Sequence, residues 1–443
     1  MLIKNGKVHD GLGKVRNVDI RITDGIISEL GRSLRAKNKE EVFDAKGMEV
    51  FPGFIQAVSS WGVNGSWTEI RPSSQDNDER SEPITPELDA FYAFNGRAIT
   101  AQQLGAFGIT ACGVEPTDNN LFGGQIAAFT VDGVNPYKMC LRRGIGMKAS
   151  VRTDMKKVYG ARSMAPQTRM WIFGTLEEQL RKAKEYLEKQ EAAEKAKSEA
   201  EKAKAEADQK FKSVKAAATK PSKKIKAASA ETQAGEPDAT AQPTALPPEV
   251  PRDQKLEAIG KVITGELPLF ISCDSLLAIE RVRDIIKPYK AIQLVLINGY
   301  GLTGNETWLI RKKIPLVVKS AAELMTEEPK GLDYNAIAKL SEKGVSVSLS
   351  GSLGWLGSRE DMLWNAADMM RVMHDAEKIL PMLTNNPAKL LGIDDVTGSI
   401  EVGKRADIVI WSDNPIKTWK AKVVRTLLAG ETIYKEGDEM KCM

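Results

Sequence analysis

Residues 49–65 read EVFPGFIQAVSSWGVNG, from Glu49 to Gly65. A first apolar pair, Val50 and Phe51, is stopped by Pro52-Gly53, and a second, Phe54 and Ile55, carries the chain on to Val58, Ser60 and Trp61. Proline and glycine inside an apolar run mark a strand end or a close backbone approach. The stretch predicts the lead strand of a barrel. Towards the N-terminus, Met1 to about Gly47 is short and β-like: LIKNGKV turns at Asn5-Gly6, VDIRITDG alternates apolar and polar residues, and Asp24-Gly25 marks a hairpin before IISELG. DIVIWS and TLLAGETIYKEG at the far end repeat that texture, with Gly430-Glu431 as a turn. The two ends are expected to form one small composite β-sandwich, residues 1–50 and 403–443.

Between them, residues 51–402 alternate strand-like and helix-like segments, the pattern of βα units closing into a (β/α)8 barrel of the TIM type. GITACGV, GIGMKASV, PLFISCD, AIQLVLING, IPLVV and VSVSLSG read as strands, and TPELDAFYAFNGRAITAQQLGAFG reads as helix. In such a barrel the residues just past each apolar run face the active end. Residues 187–251 interrupt the pattern. Their first half is rich in Ala, Glu and Lys with i,i+4 pairs and almost no large apolar side chain, so a helical arm protruding into solvent is expected. The second half, rich in Pro, Ala and Thr, reads as a disordered linker.

A chain of 443 residues with 42% hydrophobic and 28% charged residues has the composition of a globular protein with a sizeable core. No apolar run approaches the ~20 residues of a membrane helix, and MLIKNGKVHDGLG carries no signal-peptide pattern, so a cytoplasmic protein without membrane association is expected. The four cysteines, Cys112, Cys140, Cys273 and Cys442, lie far apart and form no Cys-x-x-Cys pair, so neither a disulfide framework nor a structural zinc site is expected. Imidazole is the commonest ligand of catalytic metals, yet the only histidines are His9 and His374. No histidine-rich metal site can be built, and no cofactor is expected. The net charge of +4 is met by residues 187–227, with twelve lysines against seven acidic residues, so the rest lacks a nucleic-acid footprint.

Leu383 to Pro415, LTNNPAKLLGIDDVTGSIEVGKRADIVIWSDNP, resembles the C-terminal signature of the amidohydrolase superfamily: a threonine and Asn-Pro-Ala cap the last barrel helix before Gly398, Gly403 and Asp407. Pro52-Gly53-Phe54-Ile55 resembles the family's lead-in to a metal-binding His-x-His pair. The blocks EPTDNNLFGGQIAAFTVDG and GMKASVRTDMKKVYG are similar to the imidazolonepropionase-related branch. The resemblance implies a barrel, a sandwich of the two chain ends, and one or two divalent metals that activate water while a carboxylate moves the proton.

At the positions implied to carry that chemistry, the residues differ. Val58 and Ser60 match the two histidines, Thr153 a metal-ligating glutamate, Ser272 and Asn298 two further histidines, and Gly351 the catalytic aspartate. Together they form a vestigial pocket with no metal ligands. Candidates for a replacement site at the same mouth are Asp274, Glu115, Lys148 and Cys273, as nucleophile, base or ligand for a soft metal. Cys112, inside ITACGV, reads as a small core hydrophobe. His9 reads as a structural surface residue on a sandwich strand, His374 as a packing or surface residue on an outer helix, and LFGGQ as a tight turn at the pocket rim.

The leading expectation is a pseudoenzyme: an amidohydrolase-like barrel that binds a small molecule in its mouth or serves as inactive partner of a related amidohydrolase in a homo- or hetero-oligomer. Plugging of the mouth by Trp61 and Trp355 would discriminate these roles. The alternatives are a hydrolase acting on C–N bonds through an unconventional site, and a scaffold whose lysine-rich arm engages RNA or an acidic protein.

Overall fold

The computed structural model describes residues 1–63, 76–98, 103–218, 250–297, 299–319, 332–351 and 361–438. The chain ends build two sheets. One has six strands in the order Glu431–Lys435, Val423–Leu428, Ile408–Trp411, Glu49–Pro52, Lys7–His9 and Val15–Asn17, and the other four in the order Ile26–Gly31, Asp19–Thr23, Leu2–Lys4 and Val42–Asp44. Ile3, Ile20 and Ile27 from the smaller sheet bury against Val8, Val50, Ile408, Ile410 and Leu427 from the larger. The period-two alternation of VDIRIT thus finds an apolar partner face.

Asp24-Gly25 makes the expected hairpin, both residues at positive φ (51° and 78°), as a two-residue loop between right-twisted strands demands. The last hairpin turns one residue earlier than expected, at Ala429-Gly430 (φ 50° and 79°). Asn5-Gly6 is not a hairpin: Leu2–Lys4 and Lys7–His9 belong to different sheets, so the chain changes layer there.

A second change of layer falls inside the opening stretch. Glu49–Pro52 pairs with Ile408–Trp411 in the larger sheet, Gly53 N donates to Asp407 O at 2.9 Å, and Phe54–Ser59 (β1) leaves in a new direction to pair in parallel with Ile109–Val114 (β2). Five further strands pair in parallel, each with the next: Met147–Ser150 (β3), Leu269–Ser272 (β4), Leu294–Ile297 (β5), Leu316–Val318 (β6) and Val347–Leu349 (β7). Their alternation is two-sided. Leu269, Ile271, Leu294, Leu296, Leu316 and Val318 bury against the helices, while Phe270, Val295, Ile297 and Val317 join Ile55, Ala57 and Ala111 on the opposite face. Both faces are covered, which is why these strands read as continuous apolar runs. Just past β7, Ser350 Oγ donates to Val58 O (2.9 Å) and accepts from Val58 N (3.3 Å), so the last parallel strand lies beside the first.

Two segments differ from expectation. Residues 85–98 and 103–108 hold only short 3-10 turns, Ala90–Tyr92 and Leu104–Phe107, instead of a helix. Their aromatic residues are spent on a local cluster: Phe94 stacks on Phe129 with ring centroids 3.7 Å apart. LFGGQ is not a turn, since Phe122–Gln125 is a strand antiparallel to β3. Arg169–Ala218 is one helix of 50 residues (α1). Ile172, Phe173, Leu176, Leu180, Ala183 and Tyr186 in its first turns are buried, alongside Ile259 and Val262 of Gln254–Thr264 (α2). From 187 to 206 no residue is buried, as expected of a helix without an apolar stripe. Residues 219–249, which hold most of the expected linker, lie outside the described residues. Among the described residues no helix is long and apolar enough to cross a membrane.

Candidate functional site

Five charged side chains meet at the C-terminal ends of β2, β3 and β6. Glu115 follows β2, with Asp118 three residues on. Lys148 lies in β3, Arg152 just past it, and Lys319 is the first residue after β6. Lys148 and Glu115 are fully buried, and Asp118, Arg152 and Lys319 nearly so. Lys148 Nζ donates to Glu115 Oε1 and to Ser272 Oγ, both at 2.9 Å, and lies 2.8 Å from Asp118 Oδ1 in an ion pair too oblique for a directed hydrogen bond. Lys319 Nζ reaches the same carboxylates, 3.2 Å from Glu115 Oε1 and 3.3 Å from Asp118 Oδ2. Arg152 Nε lies 3.5 Å from Asp118 Oδ2 and 2.8 Å from Asp154 Oδ2. The ions are buried at all only because each is paired.

Burial alone would raise the Asp118 carboxyl, but Lys148, then Lys319 and Arg152, outweigh it and hold the group well below the usual carboxylate range. A carboxyl depressed in the folded state stabilises the protein fully above its unfolded pKa of about 3.9, and that contribution is lost as pH falls through the lower folded value. Asp118→Asn is therefore expected to lower the melting temperature at neutral pH, with the gap to wild type closing only in strong acid, below about pH 4. Melting curves from pH 7 to pH 2 check this; a gap independent of pH would remove the ionised pairing.

The structure places the expected pocket residues as follows. Val58 packs in the apolar face of the parallel strands, and Ser60 is buried directly after β1. Ser272 accepts from Lys148. Thr153 donates to Asp274 Oδ2 through its backbone N–H (3.2 Å) and its hydroxyl (3.5 Å). Gly351 N donates to Gln56 Oε1 at 3.0 Å, and a Cβ at Gly351 would lie 2.6 Å from Gln56 Nε2. Asn298 and Trp355 lie outside the described residues, while Trp61 is mostly buried.

Of the four replacement candidates, Glu115 and Lys148 come together. Asp274 is occupied with Thr153 and with Ser275, whose Oγ donates to Asp274 Oδ1 (3.3 Å) and caps the helix Leu276–Ile286 by accepting from Ala278 N. Cys273 turns to the helix-packed side of β4, where burial, then the charges of Asp274 and Asp118, push its thiol up. Cys112 is likewise pushed up to about 12 by burial. Neither thiol is a ready nucleophile.

His9 is not a surface residue: it is buried, stacks on Phe51 at 4.2 Å, and lies between Glu377 Oε1, 2.7 Å from Nδ1, and Glu49 Oε2 at Nε2. The strand was legible but not its carboxylate partners, which come from distant parts of the chain. His374 is exposed at the end of Asp361–Met373.

Asp118, Arg152 and Lys319 were not singled out from sequence. A signal existed for two of them: Arg152 and Lys319 directly follow the apolar runs of β3 and β6, where a charge must face the strand ends. Asp118 sits in a loop among Thr117, Asn119 and Asn120 and carries no such mark.

The sequence pattern of the Amidohydrolase family matches residues 290–433. Imidazolonepropionase of Thermoplasma acidophilum is 31% identical over 111 residues, which span 24% of this chain and 27% of that protein. The crystal structure of an amidohydrolase from Thermotoga maritima superposes with a TM-score of 0.78 at 25% identity, covering 98% of this chain and 99% of the other. A 5-methylcytosine deaminase from Klebsiella pneumoniae shares the fold at a TM-score of 0.52 and 12% identity, over 99% and 98% of the two chains. These likenesses support a place in the amidohydrolase superfamily, and they imply a (β/α)8 barrel with a β-sandwich.

The likeness implies a divalent metal, and the residues present do not fit one. Among the described residues no three His, Cys, Asp or Glu side chains are placed to hold an ion. Glu115 and Asp118, the two carboxylates that share Lys148 and Lys319, already face two ammonium groups, and Asp118 a guanidinium as well. A divalent cation entering there would meet like charges within a few ångströms at low local dielectric.

Proposed function

We propose that this amidohydrolase-like chain has lost metal-dependent hydrolysis and acts by binding, either a small molecule at the mouth of its barrel or an active homologue whose partner subunit it forms. One observation carries the reading: the oxygens grouped at the strand ends coordinate the ammonium of Lys148 in place of a metal, and Ser272, at an expected histidine position, is one of them. Serine, threonine, valine and glycine supply no ligand set for zinc or iron. The barrel of residues 51–402, the sandwich of residues 1–50 and 403–443, and the arm at 187–251 belong to this proposal.

A second reading has its own observation. Glu115 Oε2 is buried without a hydrogen-bond partner, so this carboxylate has a lone acceptor available as a general base for hydrolysis of a C–N bond. Elemental analysis separates the readings when joined to a hydrolysis assay on amides and cyclic ureides. The protein is expressed with zinc, manganese, iron and nickel and purified without a histidine tag. Substoichiometric metal with no turnover is the expected result. One metal per chain overturns the proposal, and metal-free turnover abolished by Glu115→Gln establishes the second reading instead.

A further inference from the structure

We infer that the ammonium of Lys148 is the resident cation of this site, seated in a cage that accepts a free primary alkylammonium ion once the lysine stem is removed. The inference rests on the proposed loss of the metal and names what took its place. Three oxygens from two separate segments surround Nζ: Glu115 Oε1 at 2.9 Å and Asp118 Oδ1 at 2.8 Å from the loop after β2, and Ser272 Oγ at 2.9 Å from β4. An ammonium has N–H donors and no acceptor, so it can direct two of them to Glu115 Oε1 and Ser272 Oγ while Asp118 balances its charge. The distances are those of N–H···O contacts and exceed the 2.0–2.6 Å typical of hard divalent ions.

The charge balance selects the same ion. With Lys148 truncated, Glu115 and Asp118 still face Lys319, and Asp118 still faces Arg152. A single positive charge restores the native balance, whereas a dication exceeds it and is repelled by the two cations that remain. Shape adds to charge. The stem of Lys148 runs past Gly123, where an added Cβ would lie 3.7 Å from Lys148 Cγ and 2.9 Å from Pro116 Cβ, so truncation vacates the space of the stem beside Gly123, up to the oxygens. Glu115 Oε2, buried and without a hydrogen-bond partner, supplies an independent sign that the carboxylate is aimed by its cation and not by hydrogen bonds to its surroundings.

The test is thermal unfolding of the full-length Lys148→Ala protein with n-propylammonium chloride, against tetramethylammonium chloride and magnesium chloride at matched ionic strength. Propylammonium is expected to raise the variant's melting temperature saturably, restoring a factor of about 100 in the folded-to-unfolded ratio at a hundredfold excess over its Kd. Tetramethylammonium, which has no N–H, leaves the variant unmoved, and wild type responds to neither amine. Equal effects of the two amines, or a larger effect of magnesium, overturn the inference. Should Lys148→Ala not fold alone, the yield of soluble protein on refolding is the readout, and no gain from propylammonium over tetramethylammonium overturns it equally. Wild-type metal content decides the underlying reading separately, so the two can fail independently.

Discussion

Glu115→Leu is expected to lower the free energy of unfolding by about 3–5 kcal/mol, the loss typical when one partner of a buried ion pair is removed and its counter-charge stays behind. Two charges are stranded here, because Lys148 and Lys319 both approach Glu115 Oε1, at 2.9 and 3.2 Å. Asp118 alone would then balance two ammonium groups and part of a guanidinium. The companion variant Glu115→Leu/Lys319→Met removes one charge of each sign, and its destabilisation is expected to fall clearly short of the sum of the two single variants. A coupling of about 1–3 kcal/mol is the size seen for residues sharing one ion-pair network. Urea midpoints of the four proteins measure it. Additive losses would mean that the two lysines are held independently and that the site is not one charge-balanced unit.

The architecture around this network was far more readable in the sequence than the network itself. The strands β2 to β7 all lie within apolar runs read as strands, because each is buried on both faces and so carries mostly apolar residues. The two ends were readable through their alternation and through Asp24-Gly25. What misled was apolar spacing without the breakers being weighed. Residues 85–108 carry Leu88, Phe91, Phe94 and Leu104 at intervals that suit a helix, yet Gly96, Gly105 and Gly108 punctuate them, and Asp89 closes a short 3-10 turn by accepting from Phe91 N. The pocket shows the same division. Departures from a family's ligand pattern can be read position by position, since each position is local. The charged cluster cannot, because Lys148 acquires meaning only when the ends of β2, β3 and β6 bring residues 30 and more positions apart to ion-pair distances of 2.8–3.3 Å. A buried lysine looks like any lysine until its partners are known, and its cost is set by them.

The opening stretch yields the second large effect, at the glycine where the chain leaves one layer for the other. An added Cβ at Gly53 would stand 2.0 Å from Thr110 Oγ1, 2.4 Å from its Cγ2 and 2.7 Å from its Cβ. Thr110 is fully buried in β2, which β1 pairs with directly, so neither residue can swing into open space. Gly53→Ala is therefore expected to destabilise by about 1–3 kcal/mol or more, the range for forcing an extra methyl into a packed core. Thr110→Ala should recover only part of this loss, since the threonine Cβ remains too near, and Thr110→Gly should recover more. Gly113→Ala makes the control: its Cβ would lie 2.3 Å from the main-chain oxygen of Ala57, which no side-chain trimming removes, so Leu391→Ala should not rescue it. Urea midpoints of these variants separate two explanations of Pro52-Gly53. If the pair serves only the geometry of a metal site, Gly53→Ala is silent in a protein that, as proposed, holds no metal. A large loss relieved in the order Thr110→Gly over Thr110→Ala would show that the glycine is required by the contact between β1 and β2, a demand that continues whether or not any chemistry does.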